Sequence, residues 1–206
     1  MTPKNINLIK GLASWLATIA LVCVAGCSSI NANTAQNPGG AYTPVNAHEK
    51  DGQSRLMLNG HDVVSYFTQN KHAMGKPAFR SVHEGITFQF ASAEHKALFD
   101  KEPAKYLPQY GGYCADGIVY GIPWGGDADT WLMTNGKLYI FGGQASKDAW
   151  MLNLHDNYNT ADKLWNDEIK GSNSFYQRFK RLAFKVPYYK TGGELAALVE
   201  AKKAGR

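Results

Sequence analysis

Thr130-Trp131-Leu132-Met133-Thr134-Asn135-Gly136-Lys137-Leu138-Tyr139-Ile140-Phe141 is two short apolar runs joined by Asn-Gly. A two-residue type I′ turn needs positive φ at both central positions, which Asn and Gly adopt at least cost, so this stretch predicts an antiparallel hairpin. A second hairpin is expected upstream. Phe79 to His83 leads into a turn at Glu84-Gly85, and Ile86, Phe88 and Phe90 alternate beyond it so that all three share one face.

Short helices surround the two hairpins. Asp62 is placed to cap a helix carrying Val63, Val64, Tyr66 and Phe67, and Ser92 to cap another running to about Phe99. Pro103 opens a further turn that ends at Tyr106. After Gly111-Gly112, Cys114 and Ala115 fall one turn before Ile118 and Val119, which favours a helix that Gly117 weakens. Residues 144–169 read as helical with a break near His155 to Asn159, their core candidates being Trp150, Leu152, Leu154, Leu164, Trp165 and Ile169. The tail beyond Ser172 holds two more helical pieces. There Phe175, Phe179 and Leu182 line one face, expected to pack on the domain, with Arg178, Lys180, Arg181 and Lys185 beside it; the other reading lays this stripe on an anionic membrane surface.

The N-terminus reads as a sorting signal. Lys4 and Lys10 precede an apolar run from Leu12 to Val24 that is too short to span a bilayer comfortably, and Val24-Ala25-Gly26-Cys27 supplies small residues before a cysteine. That block resembles the lipobox of bacterial lipoproteins, which implies cleavage before Cys27, acylation of Cys27 and attachment to a membrane. Ser28 in the next position implies the outer membrane, facing the periplasm, in a two-membrane bacterium. Residues 27–53 are rich in Asn, Ala, Gly, Pro and Ser and are expected to form a flexible tether between the signal, residues 1–26, and the domain.

Loss of residues 1–26 removes Lys4 and Lys10 and no acid, lowering the formal charge from +5 to +3, too mild to argue for nucleic acid. Cys23 leaves with the signal and Cys27 would be acylated. Cys114 then has no intramolecular disulfide partner.

Gly60-His-Asp-Val-Val-Ser-Tyr66-Phe67, Phe88-Gln-Phe90-Ala-Ser92-Ala-Glu94-His95, Pro103-Ala-Lys-Tyr106, Tyr110-Gly-Gly-Tyr-Cys114-Ala115 and Gly136-Lys-Leu-Tyr139 together resemble the exported YHS-domain family, over about Leu56 to Trp165. The resemblance implies a small α+β domain, of two hairpins packed with short helices, related to the metal-binding YHS and TRASH modules. The expected organisation is therefore a YHS-type domain at 54–170 and a helical C-terminal extension at 171–206 that lies outside the resemblance. The several cysteines of the metal-binding modules are absent, and in the Phe90 to His95 stretch only His95 could replace a ligand.

Three functional readings follow. A non-enzymatic binding protein would hold copper or zinc, with Cys114, His95 and His83 as candidate ligands, because soft thiolate and imidazole donors suit those ions together. A scaffold would bind a small ligand or protein partner in an aromatic pocket built from Tyr110, Tyr113, Trp124 and Trp131, within a wider set that includes Tyr106 and Tyr120, residues that could equally be core. A thiol-dependent redox protein would use Cys114 directly, although an unpaired cysteine also packs well as a small hydrophobe. No Ser-His-Asp set, paired-carboxylate motif or phosphate-binding glycine loop occurs in a supporting context, so an enzyme is the weakest class.

Overall fold

The computed structural model describes residues 47–50, 53–172, 174–184 and 189–205. The signal, Cys27 and most of the expected tether lie outside these residues. The architecture is α+β with a helical C-terminal part. Strands β1 (Ala47–Lys50), β2 (Gln53–Met57), β3 (Lys76–His83) and β4 (Ile86–Phe90) form a sheet of order β1-β2-β4-β3, antiparallel except for the β2–β4 pair. Strand β1 falls in the stretch whose composition suggested tether, and pairs there with β2.

The hairpin of β5 (Asp127–Thr134) and β6 (Lys137–Phe141) turns at Asn135 and Gly136, with φ of 50° and 69°, the double positive φ that a type I′ turn requires. Strand β6 separates two cores. Its even residues, Leu138 and Ile140, join Met57, Val64, Phe88 and Phe90, while Tyr139 and Phe141 join Cys114, Ile118 and Trp150 on the other side. Side chains alternate along a strand, so a strand buried on both faces must be apolar throughout, as this one is from Leu138 onward.

The first core lies under helices α1 (Val63–Gln69) and α2 (Ala93–Lys101). Ile86, Phe88 and Phe90 are all buried, as their alternation predicts, and Phe88 and Phe90 both meet the ring of Phe99. Asp62 caps α1 through Val64 N–H and also accepts from Ala91 N–H at 2.8 Å, tying the helix to the end of β4. At the end of β2 Leu56, Met57 and Leu58 are all buried in succession, because Leu58 and Asn59 leave the strand with positive φ and fold back over the core.

The second core is closed by α4 (Ala115–Val119), α5 (Gln144–Leu152) and α6 (Leu154–Leu164), reached from α2 through the short α3 (Pro103–Tyr106). The break between α5 and α6 falls at Asn153, earlier than the 155–159 expected, and Asn157 Nδ2 secures it by donating to Trp150 O. Beyond α6 the chain makes one wide turn, Trp165–Ile169, before α7 (Ser174–Phe184) and α8 (Gly192–Lys203). Helix α8 packs Leu195 and Val199 on Ala149 of α5. Helix α7 reverses the expected packing: Phe179 and Leu182 are exposed, and the helix is held to the domain by Gln177, Arg178 and Arg181. No helix among the described residues is long and apolar enough to cross a membrane.

Candidate functional site

Residues 108–114 run beside β6, with single bridges from Pro108 to Leu138 and from Cys114 to Ile140. This fixes Cys114 against the hairpin, where it precedes the first turn of α4 and its N–H donates to Trp124 O at 2.9 Å. The Gly117 and Gly142 N–H groups and the Ser146 hydroxyl favour its thiolate form. A Cβ at Gly142 would be in ordinary contact with Sγ at 3.6 Å and closer than usual to Gly125 O at 3.2 Å. Burial nevertheless dominates these donors and raises the thiol above its ordinary range. At neutral pH Cys114 is a neutral thiol.

Cys114 forms the floor of a cleft of about 330 Å³. One wall is domain: Asp116, Gly117, Tyr120, Trp124 and Gly125 around α4, with Gly142 and Ser146 at the start of α5. The other is extension: Tyr189, Lys190, Gly192 and Leu195 leading into α8. The rings of Tyr120 and Trp124 each face Tyr189, at 6.3 and 6.1 Å, and Lys190 Nζ sits 5.9 Å from the Tyr120 ring. Arg178 of α7 braces the back of the wall, its guanidinium 5.7 Å from Trp124 and its Nε donating to Pro123 O.

Asp116 is the unusual group here. It is 4% exposed, and burial pushes its carboxyl from the ordinary 3.8 up to about 7 against the pull of the Lys190 ammonium. An acid poised near neutrality can donate a hydrogen bond when protonated and accept one when ionised. Burial, with Asp116 nearby, also pushes the Tyr120 phenol up to about 12. Trp124 Nε1 is buried with no acceptor among the described residues. The cleft therefore combines flat apolar walls with polar groups able to orient a bound molecule.

The expected metal ligands are placed apart. His95 belongs to the first core, its Nδ1 2.5 Å from Asp62 Oδ2 and its Nε2 within 3.2 and 3.3 Å of Thr68 Oγ1 and Gln69 Nε2. Both ring nitrogens are thus engaged. His83 stands at the end of β3 with its ring perpendicular to Phe99. Among the described residues no three His, Cys, Asp or Glu side chains are grouped to hold a metal ion. The donor set present does not fit a copper or zinc centre at Cys114, His95 and His83.

Of the four expected pocket aromatics, Trp124 lines the cleft. Tyr110 is turned toward Asp162, to which its hydroxyl donates at 2.8 Å, and borders a separate shallow hollow with Trp165. Tyr113 is buried in the second core with Arg178 over its ring, and Trp131 packs edge-on against Tyr66. Tyr120, from the wider aromatic set read in the sequence, lines the cleft as well, whereas Asp116, Tyr189 and Lys190 are additions that only the structure brings to the site. Asp116 lay two residues from the thiol in a helix expected there, a usable signal; Tyr189 and Lys190 come from a segment remote in sequence.

No protein-family model matches this chain, and comparison with curated proteins and with solved structures likewise finds no match.

Proposed function

We propose that this is a non-enzymatic binding protein of the bacterial envelope, of YHS type, whose ligand seat is the cleft above Cys114. The supporting observation is the pairing of three rings, Tyr120, Trp124 and Tyr189, with a buried carboxyl that titrates near neutrality beside the Lys190 ammonium. Such a site suits a small molecule with a flat apolar body and a hydrogen-bonding head. A neutral buried thiol is a poor nucleophile and a poor soft-metal donor, so the small-ligand reading has more support here than the redox or copper and zinc readings.

Native mass spectrometry of the protein isolated from its own envelope, with elemental analysis of the same sample, tests this. A non-covalent organic mass that is lost in Trp124→Ala is the expected result, together with slower alkylation of Cys114 by iodoacetamide when that molecule is restored. A stoichiometric metal, or an organic mass retained in Trp124→Ala, would move the site elsewhere.

A further inference from the structure

Helix α7 is turned inside out. Its polar residues Gln177 and Arg181 are only 5% and 3% exposed, whereas Tyr176, Phe179, Leu182 and Phe184 are 59%, 60%, 44% and 71% exposed. The buried side is anchored by polar contacts: Gln177 Nε2 donates to Glu168 O at 2.9 Å, Arg178 Nε to Pro123 O at 2.8 Å, and Arg181 pairs with the Glu168 carboxylate. These contacts fix the rotation of the helix. At 100° per residue Tyr176, Phe179 and Leu182 fall on the side opposite Gln177 and Arg181, so gripping the domain by the polar face holds the apolar face outward.

We infer that this outward face is a membrane-docking surface that seats in the interface of a bilayer containing anionic phospholipid. Charge selects that occupant. Residues 171–206 carry eight Lys and Arg against two acids, a net +6, while residues 27–170 carry twelve against fifteen, a net −3. The cationic end of the protein is the end that bears the apolar stripe, and Lys180 borders it. Large apolar side chains with flanking cations are what an interfacial helix needs, the cations drawn to the anionic headgroups. A second copy of the chain fits less well. An 11-residue helix is roughly 16 Å long, too small a footprint for the ~800 Å² per partner of a stable dimer, and pairing would bring two positive ends together. The surface acts independently of whatever fills the cleft, and would add a second attachment to an acyl chain on Cys27.

The test uses residues 27–206 with Cys27→Ser so that no acyl chain is present. Co-sedimentation with vesicles of phosphatidylethanolamine and phosphatidylglycerol should show binding that falls at least tenfold in Phe179→Asp, in Leu182→Ser, on phosphatidylcholine vesicles and on raising the salt. Both residues are exposed, so circular dichroism and thermal melting should match the parent. Equal sedimentation of parent and variants, or none with either vesicle, would overturn the proposal. So would a dimer in analytical ultracentrifugation that Phe179→Asp abolishes, which would give this face to a second copy.

Discussion

Asp116 makes the stability of the protein fall as pH rises, the reverse of most carboxylates. Its folded value of about 7 lies above its ordinary 3.8, so its contribution is fully present below 3.8 and is lost as pH climbs through about 7. A shift of this size is on the order of 4 kcal/mol across the window. Asp116→Asn should therefore match the parent near pH 4 and exceed it by pH 8 in urea titrations, and parallel curves would show that the carboxyl is not shifted. Asp62 acts through its contacts. It is fully buried and its carboxylate receives Val64 N–H, Ala91 N–H and His95 Nδ1, so Asp62→Ala strands several donors at once and should cost about 3 kcal/mol or more. His95→Gln, which keeps Asp62 and a donor beside it, should cost less than Asp62→Ala in the same denaturation assay. Asp62 was legible as a helix cap from its place before Val63-Val64. Its second role was not, since nothing local indicates that residue 95 returns to residue 62.

At the level of elements, what local chemistry determines came through and what assembly determines did not. The Asn135-Gly136 turn, the Ile86, Phe88, Phe90 face and the caps at Asp62 and Ser92 each depend on neighbours within four residues, and each forms as expected. The orientation of α7 depends instead on Glu168 and Pro123, and the hydrophobic pattern of a helix says which residues share a face without saying which way that face points. The cleft has the same character: Trp124 and Cys114 are ten residues apart, but Tyr189 and Lys190 reach them only through the packing of α8. Gly126 shows how tightly the hairpin meets the Cys114 segment. A Cβ there would lie 2.5 Å from Ile140 Cγ2 and 2.9 Å from Gly112 O, so Gly126→Ala should destabilise by about 1–3 kcal/mol and lower the melting temperature, whereas Gly125→Ala, with open space around it, should leave it nearly unchanged.

For the molecule as a whole, we expect two ties to the envelope, an acyl chain at Cys27 and the apolar stripe of α7. Cys27→Ser should abolish fatty-acid labelling; if labelling persists, the acyl anchor is not there. The two walls of the cleft also differ in how firmly they are held. Residues 114–146 belong to a domain with two developed cores, whereas 189–195 lead into α8, which among the described residues is held by the smaller cluster of Ala149, Leu195 and Val199. That wall is the one most ready to lift away. A molecule bound there works as a clasp across the seam: at a hundred times its Kd it would add about 2.7 kcal/mol to the closed form. Amide hydrogen exchange would report this as slowing confined to Gly192–Lys203, with the β5–β6 hairpin unchanged. Occupancy of the cleft would thus be recorded in the lifetime of α8's own closure.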